Sequence, residues 1–535
     1  MDLLIANAHS VHWSVTTVFA LLLVGLILCL ALEEKIHAKK SIIAASFAAV
    51  CLLLGTFTGI LSFEKIVVGS HRAELRANEE VEVLVYSEEN PDTGEVIEVA
   101  GENAVDDESH QSPAADDHED HEHAKTGHHT LHVDGHRLST PVYIPGVDWS
   151  VIAIILGSSL FVDVTSKSGL FTWIAVKVTK ASGGDPRRLL YFYGLMTVVF
   201  SAVLNNVTAM IIVGSLTAVS LDKLKQNKLL LGFLLIEGLL TNVGGLLTLI
   251  SSVPNIIVGT AADISFVTFF VKSAPFVVVA TLLTLWMGSM LFGIHKLKDK
   301  SAKEEAKSLV GGFDENDGVE SWGFFRFSVA MLLLFIVTIA TTSALPGVSK
   351  LGMGFVAMTF AVVMLWRFKS DVNRFYSAVD WDLLGFFIAL FMVIYVMEHA
   401  LVLERIGDGL QMVMSDISAE NPSAKDASLL LVGSAFFSSV TDNIPLAAMF
   451  ASILSNLGAP ESSTLWWSVI FGANLGGNIT PIGSASTLVA VTIMHKHKLP
   501  LSFAGFVKAA VPYAIVQIIL ALAYVLFVLP LIKFG

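Results

Sequence analysis

Apolar runs close to twenty residues long recur from one end of this chain to the other, and nothing else constrains its folding as strongly. SVTTVFALLLVGLILCLAL near the start and VQIILALAYVLFVLPLI near the end are two of them. A helix needs about 20 predominantly apolar residues to cross the hydrocarbon core, and in lipid every backbone N–H and C=O must be satisfied within the chain. The reading is an all-α polytopic membrane protein. Composition agrees, because only 15% of the residues are charged against roughly 25% in a soluble domain. Cys29 and Cys51 both lie inside apolar runs, so they imply neither a disulfide framework nor a thiolate metal site. No stretch reads as a nucleic-acid surface.

The N-terminal MDLLIANAHSVHW puts no Lys or Arg ahead of an apolar run too long for a signal peptide's core, so residues 1–62 are expected to hold two retained spans. The link between them, EEKIHAKK, carries Lys35, Lys39 and Lys40 and is placed inside by the positive-inside rule, which puts the next segment, 63–146, outside. That insert holds the acidity. From Glu74 to Asp134 there are 19 acidic residues against Arg76 and Lys125, so the rest of a chain of net charge −14 carries about +3. EVEVLVY and GEVIEVAG flank NPDTG and predict a β-hairpin; the remainder is low-complexity and is expected to be disordered. Eight histidines fall between residues 110 and 136. Of these, His118, His121, His123, His128 and His129 are candidate ligands for a divalent metal, with a plain solvated acidic tail as the alternative.

Beyond the insert the chain repeats itself at a separation of about 235 residues. VDWSVIAIILGSSLF from Val147 matches VDWDLLGFFIALFMV from Val379. SAVLNNVTAM around Asn205 matches SSVTDNIPLAAM around Asp442, TNVGGLLTLI from Thr241 matches ANLGGNITPI from Ala473, and SFVTFF matches SFAGFV. Residues 147–294 are read as one transport repeat and 379–535 as the second, joined by a cytoplasmic linker (295–322) and further spans (323–378). Trp149 follows the insert placed outside, whereas Trp381 follows the basic WRFKSDVNR placed inside, so the copies are expected to be inverted in the membrane, an architecture of secondary transporters with the site between the halves.

The duplicated motifs are polar where a span should be unbroken. Asn205, Asn206 and Thr208 in one copy and Asp442 and Asn443 in the other are costly at membrane depth unless paired or lining a wet cavity. Asn242, Gly244 and Gly245, matched by Asn474, Gly476 and Gly477, are expected to let a helix unwind and expose carbonyls to an ion. Thr248, Asn255, Asn478 and Thr480 add hydroxyls and amides, and the bland alternative for the whole set is close helix packing. Among carboxylates in apolar sequence, Asp442 is the first candidate for Na⁺ or proton coupling and Glu237 the second. Asp163 has Lys167 at helical spacing, an ordinary ion pair, and Glu398-His399 reads as structural.

At these motifs the chain resembles the ion-transporter superfamily that contains bacterial arsenite permeases, NhaD-type sodium/proton antiporters, the melanosomal P protein and the divalent-anion/sodium symporters. The likeness runs from about Leu61 to the end apart from the insert, and is closest to the arsenite-permease and NhaD branch in SAVLNNVTAM, SSVTDNIPLAAMF and GANLGGNITPIGSASTLVA. The resemblance implies inverted repeats, each with a re-entrant hairpin and a discontinuous helix, often in a homodimer. It also implies that Asn205, Asn206, Thr208, Asn242, Asp442, Asn443, Asn474 and Thr480 face the transport site. Many relatives have Asp-Asn where this chain has Asn205-Asn206, which leaves Asp442 without a second acid, and the Ser-Asn-Thr motif of the carboxylate symporters is absent. The expectation is a secondary active transporter in a bacterial inner membrane, with sodium/proton antiport as its activity. It takes a small inorganic ion as substrate and needs no cofactor beyond the coupling Na⁺ or H⁺. Efflux of arsenite or another oxyanion, carboxylate transport, and a membrane metal sensor using the histidine-rich loop are the alternatives. No His-Glu-x-x-His motif points to an enzyme.

Overall fold

A computed structural model describes residues 11–61, 65–69, 84–89, 96–100, 131–139, 144–367, 373, 376, 379–415, 417–419, 422–499 and 501–532. They form two units, a membrane unit made of 1–60 and 147–535 and an insert unit of 61–146.

Most helix starts in the membrane unit are set by polar side chains that accept from the first free N–H groups. These caps are duplicated like the motifs: Asp148 and Asp380, Asn205 and Asp442, and Ser265 and Ser502 stand at corresponding helix starts. The chain opens with α1 (Trp13–Ala31), the single turn α2 (Glu33–Ile36) and α3 (Lys40–Phe57). After the insert come α4 (Trp149–Ser166), α5 (Leu170–Ser182), α6 (Pro186–Val203), α7 (Asn206–Lys223), α8 (Leu230–Gly245), α9 (Val253–Ala261) and α10 (Phe266–Leu291). Three connecting helices follow, α11 (Lys300–Gly311), α12 (Trp322–Ala340) and α13 (Val348–Arg367). The second series is α14 (Trp381–His399), α15 (Val402–Gln411), α16 (Ala424–Val440), α17 (Asn443–Asn456), α18 (Thr464–Gly476), α19 (Ala485–Lys496) and α20 (Phe503–Ala523). From α4 to α10 and from α14 to α20 the elements correspond one to one, down to a proline inside the last helix of each, Pro275 and Pro512.

Packing repeats the correspondence. α6 packs on α8 as α16 packs on α18, and the short helices cross over, α9 onto α17 and α19 onto α7 and α8. The flanking helices cross over too: α13 lies against α4, and α3 against α14. Each repeat as packed therefore recruits a helix from the segment preceding the other. Burial sorts the helices by depth. All of α8 except Leu231, and α18 from Leu465 onward, is buried on every side, the mark of a central apolar helix. On α1 and α12, Leu21, Leu28, Leu333 and Leu334 are exposed, as lipid-facing side chains are. Among the described residues nine helices are long and apolar enough to cross a membrane.

The strands of the described residues lie in the insert, where the hairpin is expected, and the membrane unit is helical. The insert contains β1 (Lys65–Gly69), β2 (Leu84–Glu89), β3 (Val96–Ala100) and β4 (Leu131–Ser139) in one sheet of order β1-β4-β2-β3. β2 and β3 are the expected hairpin, antiparallel with Tyr86 opposite Val99, because the β-branched valines and isoleucine of segments such as EVIEVA suit a pleated surface. β4 pairs antiparallel with β1 and parallel with β2. His118, His121, His123, His128 and His129 lie outside the described residues, as does most of the segment expected to be disordered.

Candidate transport site

Each series interrupts its helices twice, and the interruptions carry the polar motifs. α6 and α7 are separated by Leu204, which is extended (φ −97°, ψ 160°), and Asn205, whose Oδ1 accepts the N–H of Thr208 at 2.7 Å. α16 and α17 are separated by Thr441 (φ −125°, ψ 165°) and Asp442, whose Oδ1 accepts the N–H of Ile444 at 3.3 Å. The second breaks are the stretches between α8 and α9 and between α18 and α19.

Reciprocal hydrogen bonds hold the breaks together. Ser201 Oγ donates to Thr241 O at 2.6 Å, and its counterpart Ser438 Oγ donates to Ala473 O at 2.6 Å. Thr248 Oγ1 donates to Ala202 O at 2.5 Å and Thr480 Oγ1 to Ser439 O at 2.6 Å. Between repeats, Asn242 Nδ2 donates to Ser484 Oγ at 2.9 Å while Ser252 Oγ donates to Asn474 Oδ1 at 2.7 Å. Asn242 Nδ2 also donates to Asn478 Oδ1 (2.8 Å), and Asn474 Nδ2 to Asn255 Oδ1 (2.9 Å). These buried amides are paired across the molecule, as amides at membrane depth must be.

A cavity of about 640 Å³ opens where the breaks meet. Asn205, Asn206, Thr208, Asn242, Asp442 and Asn443 line it, so six of the sequence-predicted residues share one chamber. Asn255, Asn474, Asn478, Thr248 and Thr480 are buried behind it in the hydrogen-bonded layer just described. The glycines have another task. Gly244, Gly245 and Gly476 are still helical, and Gly477 (φ −59°, ψ −14°) ends its helix without a left-handed turn. A Cβ on Gly244 would stand 2.8 Å from Val198 Cα, and one on Gly476 2.2 Å from Ala435 O. Unwinding begins after them; their lack of a side chain lets α8 and α18 touch the backbones of α6 and α16. Gly245 makes room for the Asn206 amide, 2.7 Å from where its Cβ would be.

The lining charges are Glu33, Asp163, Asp380, Asp382 and Asp442 against Lys40. Lys40 Nζ donates to Asp442 Oδ2 at 2.6 Å, and Glu33 Oε1 lies 3.8 Å from the same nitrogen. Ser41 Oγ donates to Asp382. Glu237 is elsewhere: fully buried between α7 and α8, it accepts from Thr217 Oγ1 at 2.6 Å and does not line the cavity. Glu398 accepts from Asn456 Nδ2 at 3.1 Å and does not line the cavity. Among the described residues no group of three or more His, Cys, Asp or Glu is placed to hold a metal ion.

Sequence reasoning missed Lys40, Ser252, Ser484, Ser486 and Gln517, whose Oε1 accepts from Asn478 at 2.8 Å. Ser252 and Ser484 are separated like the other duplicated positions and were findable; Lys40, at the head of a span, looks like any basic flank.

Residues 130–472 match the family described as citrate transporter, CitMHS. The chain belongs to this family. Its relatives include an uncharacterized transporter of Mycobacterium tuberculosis, 31% identical over 390 residues that cover 71% of this chain and 86% of the relative. The P protein of Mus musculus is 25% identical over 468 residues, covering 74% of this chain and 56% of that protein. Among solved structures, the YdaH transporter of Alcanivorax borkumensis, a structure described as having an unusual topology, aligns with a TM-score of 0.53 at 11% identity, over 91% of this chain and 98% of that one. That likeness concerns the fold alone. This citrate transporter family member is a multi-pass membrane transporter, not an enzyme, as its family and its mycobacterial relative are transporters by description.

Proposed function

We infer that this transporter exchanges a small monovalent cation, Na⁺ or Li⁺, for protons by alternating access around the cavity, and that it stands with the arsenite-permease and NhaD-type branch of its superfamily. The observation that carries this reading is the lining charge, five carboxylates to one ammonium. Such a chamber concentrates cations and repels anions. Hydroxyls, amides and the carbonyls freed at helix breaks are the oxygen ligands an alkali cation needs in place of its water. Asp442 is the anionic ligand of this site.

Carboxylate transport is the second reading, and the family's description favours it. In its support, Asn205 caps α7 with a neutral side chain, so that helix N-terminus keeps its partial positive charge toward the cavity. Asp442 neutralises the equivalent end of α17.

Proteoliposomes with an imposed pH gradient separate the two. Na⁺ or Li⁺ should dissipate the gradient with wild type and not with Asp442→Asn. Citrate counterflow without any cation response would replace antiport by carboxylate transport.

A further inference from the structure

The ammonium in the cavity is out of place by local rules. Lys40 is the first residue of α3, where the helix dipole disfavours a cation, and no acidic residue occupies that first turn. Its neighbours compensate from other elements. Asp442 at the cap of α17 is 2.6 Å from Nζ, Glu33 of α2 is 3.8 Å away, Asp382 of α14 is tied to the next residue, Ser41, and Asp380 and Asp163 line the same chamber. Among the described residues, the charged groups that line the chamber with Lys40 are these five acids. Lys40 and Asp442 are only partly exposed, at 26% and 10% of their side chains. The first repeat has no such pair, because its hairpin cap is the neutral Asn205.

We propose that Lys40 is an internal cation that occupies the Asp442 site whenever the cargo cation does not, and that its proton is the one exchanged. This rests on the antiport reading. When a monovalent cation binds Asp442, the ammonium is displaced, Nζ gives its proton to water in the open cavity, and neutral Lys40 remains. The charge of the site is unchanged, so one proton leaves for each cation that enters. In the opposite-facing state, reprotonation of Nζ drives the cation off. Because Asn205, at the position equivalent to Asp442, carries no charge, the chain holds one such pair and one exchanging site. A lysine suits this task and an arginine does not, since the guanidinium keeps its proton at any working pH.

The test uses the full chain in proteoliposomes, reading radioactive Na⁺ counterflow and proton flux from pH 6 to 9 for wild type, Lys40→Gln, Lys40→Arg and Asp442→Asn. In wild type the apparent KM for Na⁺ should fall as pH rises, by up to about tenfold per unit for one-to-one competition. Lys40→Gln should keep Na⁺ counterflow with a KM several-fold lower at pH 6 and flat with pH, while Na⁺-driven proton flux drops to background. Lys40→Arg should keep a high KM and lose proton flux. Asp442→Asn should lose both signals. A Lys40→Gln protein with the wild-type pH profile and proton flux would make Lys40 a strut and overturn the proposal. If that variant does not assemble, wild-type proton flux in Lys40→Arg, which retains the ion pair, overturns it equally. A wild type that ignores Na⁺ and Li⁺ overturns the antiport reading along with it.

Discussion

At single residues, the duplicated glycines show a right motif with a different cause. NxGG was legible as a special site, but glycine suits both an unwound helix and a helix lying against another backbone, and sequence does not separate the two. The close approach makes a sharp prediction. In Gly476→Ala the new methyl meets Ala435 O at 2.2 Å and its Cα at 2.7 Å, atoms fixed in α16 that have nowhere to move. Overpacking of this kind costs about 1–3 kcal/mol. Gly433→Ala, on α16 itself, meets nothing within 4 Å, so it should be neutral or stabilising by up to about 1 kcal/mol through the helix preference of alanine. Heating both variants in detergent and counting the monodisperse fraction by gel filtration should show an earlier loss for Gly476→Ala alone. Equal melting would mean that α16 and α18 do not touch as described.

Among elements, the connection between the repeats is more structured than a linker read from its charges. α11 packs on α5, with Gly184 allowing the approach: a Cβ there would lie 2.8 Å from Ala306 Cβ. Past α11, Glu315 is clamped by Lys177, 2.8 Å away, and by Lys180, both on α5. Hydrogen bonds from these two lysines hold its carboxyl down at about 2. A carboxyl lowered on docking favours the docked loop wherever it is charged in both states. The clamp should therefore be at full strength above the ordinary carboxylate value near 4.5 and fade as pH falls toward about 2. Hydrogen exchange of the amides around residue 315 should be slower in wild type than in Glu315→Gln by a constant ratio at neutral pH, and the ratio should shrink to one in strong acid. A ratio that ignores pH would remove Glu315 as the clamp. At the hairpins, Asn205→Ala removes the side chain that accepts the Thr208 N–H and should cost about 1 kcal/mol of thermal stability; a loss of transport with unchanged melting would instead assign Asn205 a direct contact with the cargo.

For the whole molecule, much of the architecture could be read from the chain because evolution wrote it twice. Polar motifs in matching order exposed the repeat, and the cost of amides at membrane depth marked the residues that meet at the cavity. What stayed hidden has physical reasons. The exchange of α3 and α13 between repeats is largely apolar helix packing, and its polar tie from Ser41 to Asp382 joins residues 341 apart in sequence. Lys40 resembles a topological flank until Asp442 is found 402 residues away in sequence. The reciprocal bonds Asn242–Ser484 and Ser252–Asn474 relate the two series by an approximate two-fold operation, and such an operation leaves two arrangements in the bilayer: its axis lies in the membrane plane, giving inverted copies, or along the normal, giving parallel ones. The basic clusters favour inversion. Ile144, ahead of α4, and Tyr376, ahead of α14, are equivalent by spacing and similarly exposed, at 46% and 47%. With Cys29 and Cys51 replaced by serine, single cysteines at these two positions should react with a membrane-impermeant maleimide from opposite faces: Ile144→Cys in intact cells, Tyr376→Cys only after the membrane is opened. Labelling of both from one face would make the copies parallel and move the loop that carries Lys40, or the segment ahead of α14, to the other side of the membrane.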